Sequence, residues 1–202
     1  MLRNKLIVFG GCAAMTAILG GVSLFGKIMD SNTEKDGFDY YISKAETSSG
    51  TESLDQYRKA IALNPVSEKG YLGMLDTMLQ DNEFTSEDDV MINTVLDSKD
   101  NGREKDNNTY FKANKSGYIK FSYRLGLAYY YSMGSGGDKA SAKGWFRNVI
   151  DADMDAVDLG EDNSQKDAWK IRAEILGKIC EYSGKIGVAN QAGDEEVSYK
   201  DY

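Results

Sequence analysis

Apolar residues recur along most of the chain at spacings of three and four, the repeat of helices buried on one side. "FDYYISKAE" (38–46) and "SLDQYRKAIALNP" (53–65) predict two short amphipathic helices, the second stopped at Pro65. "SEKGYLGMLDTMLQDN" opens a third at Ser67 and runs to a turn at Asp81–Asn82. In "TSEDDVMINTVLDS", Thr85 precedes Asp88 by three residues, a near-relative of the capping box. Glu87, Asp88 and Asp89 then fall in a first turn, where the backbone dipole favours negative charge. Residues 99–115, "KDNGREKDNNTYFKANK", are charged and Asn-rich and predict an exposed loop. Two long helices follow, around 117–133 and 138–151, then an acidic connection and a last helix in "SQKDAWKIRAEILGKICEY" (164–182). From Ser183 the pattern is Gly-rich and polar, with at most a short helix near Glu195–Tyr202. The expectation is an all-α chain of antiparallel helix pairs.

The amino terminus differs in kind. Leu6 to Phe25 is 20 residues without a charge. At 1.5 Å per residue a helix of that length spans about 30 Å, the hydrocarbon thickness of a bilayer. A cleaved signal peptide would need a shorter apolar core and a small-x-small site, which "VSLFGKIMD" supplies poorly. Lipid attachment at Cys12 would leave only Leu6 to Phe9 as the apolar region. An uncleaved transmembrane anchor over 1–29 is therefore expected, followed by a linker over 30–37, a helical-repeat domain over 38–182 and a polar tail over 183–202. Arg3 and Lys5 on one side balance Lys27 and Lys35 on the other. Short N-terminal anchors usually keep their tail in the cytoplasm, so the body is expected outside, on a single-pass protein of the cell membrane. Ala13, Ala17 and Gly21 form a small-xxx-small stripe through which two anchors would pair as a dimer, although small residues are common in any membrane helix.

Composition narrows the function. The formal charge is −8, and residues 1–29 carry Arg3, Lys5 and Lys27 without an acid, which leaves −11 (−8 − 3) for the remainder. So acidic a body repels phosphate backbones, and nucleic acid is excluded as a default partner. The chain has no histidine, which removes the commonest general base and the commonest zinc ligand. Two cysteines, Cys12 and Cys180, in dissimilar contexts make neither a disulfide framework nor a metal cluster. No cofactor is implied.

Several stretches invite a chemical reading. "YYYSMGSGGDKASAKGWF" (129–146) sets a lysine in a glycine-rich loop, but a phosphate-binding loop needs glycine directly before that lysine and Ser or Thr after it. Asp138 and Ala140 stand there instead. Asp138 suits a helix N-cap, and Gly134, Gly136 and Gly137 suit the turn of a helical hairpin. "DADMDAVDLGED" (151–162) places acids at the first, third, fifth and twelfth positions of a calcium loop, yet Ala156 replaces the required glycine and Asp162 the bidentate Glu. The alternative is that Asp151, Asp155, Asp158 and Asp162 share one solvated helical face. A hydrolase using these carboxylates is the rival function from the enzyme class. Tyr129, Tyr130, Tyr131, Trp145, Phe146 and Trp169 look like a ligand cage but have the spacing of seam-filling core. Asn107-Asn108-Thr109 is a formal glycosylation sequon, meaningful only in a eukaryotic secretory path.

The helix pairs also carry a repeat. "LGLAY" (Leu125, Gly126, Tyr129), "ILGKIC" (Leu176, Gly177, Cys180) and "YLGMLDTM" (Tyr71, Leu75, Met78) resemble the tetratricopeptide pattern, with Tyr57, Ala60 and Pro65 matching the end of a repeat. The Gly slots Tyr41, Leu75, Gly126 and Gly177 lie 34, 51 and 51 residues apart, one repeat length and then that length plus a loop. "LGLAYYYSMGSGGDKASAKGWF" resembles the Sel1-like variety more closely still. The order of anchor, linker, "YRKAIALNP", "GYLGMLDTMLQDNEFT", charged loop and "YRLGLAYYYS…WF" is similar to the membrane-anchor and helical-repeat region C-terminal to the kinase domain of some Gram-positive bacterial serine/threonine protein kinases. No VAIK, HRD or DFG sequence is present, so the resemblance implies only the non-catalytic half.

These likenesses imply a short right-handed superhelix, whose concave groove is lined by the first helix of each pair and takes a protein or peptide partner. Transferred by register, the groove residues are Asp76 and Leu79; Lys120, Tyr123, Leu127 and Tyr130; and Glu174, Lys178 and Tyr182. The expected function is a membrane-anchored, non-catalytic interaction or sensor module.

Overall fold

A computed structural model describes residues 37–99, 102–132 and 137–191, with side chains to Ser183. The expected anchor over 1–29 with its apolar run 6–25, Cys12, residues 30–36 of the expected linker, Gly134, Gly136 and the end of the tail from 192 lie outside the described residues. The helices are α1 Gly37–Thr47, α2 Gly50–Leu63, α3 Glu68–Met78, α4 Ser86–Asp97, α5 Asn107–Phe111, α6 Lys115–Tyr131, α7 Lys139–Ile150 and α8 Lys166–Gln191. Two 3-10 turns, Met154–Ala156 and Gly160–Gln165, join α7 to α8. No β-strand occurs among the described residues, so the all-α expectation holds there. None of these helices is long and apolar enough to cross a membrane.

Local chemistry sets most of the boundaries. Thr85 and Asp88 form the full capping box of α4: Asp88 N–H donates to Thr85 Oγ1 at 3.3 Å, and Thr85 N–H to Asp88 Oδ2 at 2.8 Å. Asp138 accepts from Ser141 N–H at 2.7 Å and caps α7. The turn after α3 falls where expected, with Asn82 at φ 59°, a left-handed conformation that asparagine tolerates. Gly137 closes the α6–α7 hairpin by proximity: a Cβ there would lie 2.3 Å from the Tyr129 carbonyl oxygen.

Packing follows the chain in the order α1 on α2, α2 on α3, α3 on α6, α6 on α7 and α7 on α8. Stacked hairpins of this kind make a helical-repeat architecture. The helix α4 stands aside from that succession, with α5 as its main helical neighbour. Of the two glycines in repeat slots, Gly126 is held by contact, since a Cβ would meet the Phe146 ring at 2.7 Å. Gly177 is not: its nearest neighbour would be Ile150 Cδ1 at 3.6 Å, ordinary van der Waals distance.

Three expectations are corrected. The linker ends one residue early, because Gly37 is already the buried first residue of α1. The polar tail begins later than Ser183, since α8 continues to Gln191. The exposed loop over 99–115 contains α5, capped by Asp106, which accepts from Thr109 N–H at 2.7 Å. Phe111 at its end is fully buried and stacks on Tyr71 of α3 with ring centroids 3.9 Å apart. Phe121 of α6 meets both rings edge-on, at 5.7 Å from Tyr71 and 5.5 Å from Phe111, and Trp145 of α7 meets Phe121 at 5.7 Å. Arg103 ties the same segment to α2, donating from Nη1 to the Ala62 carbonyl at 2.8 Å. A cation at the carbonyl end of a helix is favoured by the dipole. Asn107, the sequon asparagine, is 2% exposed and donates from Nδ2 to the Val95 carbonyl.

Replacing Phe111 by alanine should cost about 3–5 kcal/mol, as for a large core aromatic. A true loop residue would cost less than about 0.5 kcal/mol. Urea unfolding followed by circular dichroism separates the two.

Buried phenols make a second test. Burial pushes the Tyr118 phenol up to about 12 and those of Tyr71 and Tyr129 above the usual tyrosine range. A pKa raised in the folded state gives stability that is whole below the unfolded value, about 10, and lost as pH rises through the folded value. The urea midpoint should therefore stay level to about pH 9 and fall steeply between about 10 and 12; a midpoint unchanged at the upper end would contradict the assignment.

Candidate functional site

An open groove of about 590 Å³ runs over α3, between the end of α1 with the start of α2 on one side and α6 on the other. The volume is in the range of sites that hold a ligand of drug or short-peptide size. Leu72, Gly73 and Thr77 of α3 and Tyr57 of α2 line its middle, and Glu46, Lys69, Asp76, Gln80 and Arg124 are on its rim. The floor is shaped by Gly73, because the Tyr57 ring occupies the place of a side chain there: a Cβ would lie 2.4 Å from its Cε1 and Cζ. Tyr57 is 6% exposed, and its phenol is pushed up first by burial, then by the charges of Glu46 and Asp76.

Three ion pairs cross the rim. Lys69 meets Glu46 at 3.0 Å, between α3 and α1; Lys120 meets Glu68 at 3.4 Å and Arg124 meets Asp76 at 3.5 Å, both between α6 and α3. The two exposed pairs, Lys69–Glu46 and Arg124–Asp76, each contribute roughly 0–1 kcal/mol. Their effect is on the surface itself, which presents alternating charge without net sign. Two hydroxyls in the groove are engaged within the fold: Ser53 Oγ donates to the Ala45 carbonyl and Thr77 Oγ1 to the Gly73 carbonyl, each at 2.9 Å. Neither is aimed at a bound group by a general base.

The residues expected in the groove by register divide into three sets. Asp76 lines it and Lys120 braces its edge through Glu68. Leu79, Leu127 and Tyr130 are half-buried against the core. Tyr123 turns away, 6% exposed and stacked on Trp169 of α8 with centroids 4.5 Å apart. That stacking is the seam between α6 and α8, so the ring belongs to packing and corrects the register by one residue: Arg124, its neighbour, holds the groove position. Glu174, Lys178 and Tyr182 are exposed on α8.

One numerical relation would have found the omitted residues. A step of 51 carries Lys69 and Gly73 of α3, and Gln80 just after it, onto Lys120, Arg124 and Tyr131 of α6, and again onto Ile171, Ile175 and Tyr182 of α8. Between α6 and α8, Arg172 donates from Nη2 to Tyr131 Oη at 2.9 Å.

The acidic stretch 151–162 is built differently from either expectation. It is not one helical face, because α7 stops at Ile150 and the chain folds down so that Met154, Val157 and Leu159 pack with Ile119. Asp158 accepts from Asn163 Nδ2 at 2.7 Å and Gly160 N–H at 2.9 Å, contacts that hold its carboxyl below the usual range. Asp151 lies 3.7 Å from Arg147. Among the described residues no three His, Cys, Asp or Glu side chains converge on a metal position. Of the aromatic set, Tyr129 and Phe146 are fully buried, while Tyr131 is 63% exposed. Cys180 is buried, and burial pushes its thiol pKa up, away from nucleophilic use.

No family model, curated protein or solved structure matches this chain. The geometry of the groove is thus the ground for a functional reading.

Gly73→Ala should destabilise the protein by about 1–3 kcal/mol, since the added methyl overpacks against Tyr57. Combining it with Tyr57→Ala should cost less than the sum of the two single losses, because each removes the other's clash or cavity. Additive losses in thermal denaturation would mean that the two do not share the groove floor.

Proposed function

We propose that this chain is a non-catalytic docking module that receives a protein or peptide segment in the groove over α3. In this reading residues 6–25 anchor it to the cell membrane, and a tetratricopeptide-like helical domain stands outside the cytoplasm. The single observation that carries the docking reading is the groove itself, open, about 590 Å³, and floored by a glycine over a tyrosine between paired charges. A peptide can lie across the Tyr57 ring, which Gly73 lets settle against α3, and side chains on either flank can exchange partners with the rim pairs. The sequence likeness to tetratricopeptide and Sel1-like repeats, together with the stacked hairpins, supports the same use of the surface. The rival use of the acids at 151–162, as a hydrolase or a calcium-dependent module, is weakened by the commitment of Asp158 to its own turn.

A photo-crosslinking amino acid tests the proposal in cells that make the protein. At Gln80, on the groove rim, it should give a discrete protein adduct, and at Val90, exposed on α4, it should not. Asp76→Arg, which sets two cations together on the rim, should weaken the Gln80 adduct. Equal labelling from both positions, or none from Gln80, would refute docking in the groove.

A further inference from the structure

The phenol of Tyr57 is a buried polar group that the fold leaves unbonded. The residue is 6% exposed, and a Cβ at Gly73 would lie 2.6 Å from its Oη, so the hydroxyl end of the ring is the part that rests on α3. Ser53 and Thr77 nearby are bonded within the fold, but among the described residues no group donates to Tyr57 Oη or accepts from it. The oxygen is not sealed off: it opens on the groove that the residue lines. Polar groups on side chains so deeply buried are ordinarily paired, so this one marks where a polar atom of a ligand would sit.

Its neighbours decide the sign of that ligand. Lys69, Asp76 and Gln80 stand four before, three after and seven after Gly73, on the stripe of α3 that meets the hydroxyl. Glu46 comes from the end of α1. Burial first, then the charges of Glu46 and Asp76, push the phenol pKa up, so it stays protonated in the field of two carboxylates. An incoming anion would meet two groups of its own sign. An ammonium instead has three N–H donors for three acceptors, Tyr57 Oη and the carboxylates of Glu46 and Asp76. Both carboxylates are exposed at the rim, and a carboxylate already paired with one cation keeps acceptor capacity for another.

We propose that the groove takes a lysine side chain of the docked segment, its ammonium donating to Tyr57 Oη and to the carboxylates of Glu46 and Asp76. The proposal rests on the docking reading of this groove and names what the docked segment must carry. A compact ammonium suits three acceptors brought from α1, α2 and α3 better than the planar fork of an arginine does. Lys69 is then a built-in competitor. It is exposed, its pair with Glu46 is of the weak surface kind, and it swings out as the incoming lysine enters.

The test uses Nα-acetyl-lysine methylamide as probe, titrated into the full-length chain in detergent with its glycines labelled with nitrogen-15. The Gly73 amide signal should move and saturate, while that of Gly144, exposed on α7, stays in place. Nα-acetyl-norleucine methylamide, which keeps the aliphatic stem and lacks the ammonium, should leave Gly73 unmoved. Tyr57→Phe, which keeps the ring over Gly73, should weaken the lysine probe by about tenfold, as should Glu46→Gln. Lys69→Gln should tighten it by about two- to fivefold, the opposite of what loss of a merely structural pair would do. A still Gly73 amide, an equal response to the norleucine probe, or a Tyr57→Phe protein of wild-type helicity and wild-type affinity overturns the lysine site. Docking is judged apart from it: a wild-type Gln80 adduct beside a silent Gly73 amide would keep the docked segment and remove the lysine.

Discussion

The stack of Phe111 on Tyr71 is the contact on which the rest of this structure depends. It joins a five-residue helix in a polar connection to the middle of α3, and Phe121 and Trp145 extend it through α6 into α7. Without that plug, the second and third hairpins would meet across a gap, because α4 does not pack along α3 as the second member of a hairpin should. The extra 17 residues that separate a 34-residue step from a 51-residue one are therefore structural material. In the first 51-residue step they bring Phe111 into the core, and in the second they bring Met154, Val157 and Leu159 onto Ile119.

The groove inherits its position from this arrangement. Its walls are α1 and α6, and α6 is held against α3 by the aromatic cluster beneath the ion pairs Lys120–Glu68 and Arg124–Asp76. Surface pairs of that strength cannot set the distance between two helices. Burial of Tyr71, Phe111 and Phe121 can, at about 1.5–3 kcal/mol for each large apolar side chain removed from water. The rim is thus arranged by the core, and the charges decorate a spacing already determined below them.

Much of the fold was legible in the sequence, because periodicity, caps and turn residues are local signals. The Thr85–Asp88 box, the Asp138 cap, the turn at Asn82 and the stop at Pro65 all stand where short-range chemistry put them. What was not legible depended on distant partners. Phe111 lies among Asn, Lys and Thr, and only Tyr71, 40 residues away, makes it core. The acids of 151–162 look helical by spacing, yet Met154, Val157 and Leu159 are drawn to Ile119 and break the helix into two turns. The continuation of α8 through a Gly-rich stretch was missed for the converse reason: low propensity is a weak prior.

The site shows how a correct architecture can still misplace side chains by a fraction of a turn. Counting slots from a repeat pattern assigns Tyr123 to the groove and leaves Arg124 out, but a helix rotates about its axis to satisfy its largest ring. Tyr123 finds Trp169 at stacking distance, and one residue of rotation, about 100°, then carries Arg124 to the rim beside Asp76. At the next step of 51 the outcome differs: Glu174, the counterpart of Tyr123, is exposed, as are Ile171 and Ile175. An aromatic seam between two helices therefore decides which residues of α6 face the groove: the ring turns to Trp169 and the guanidinium to Asp76.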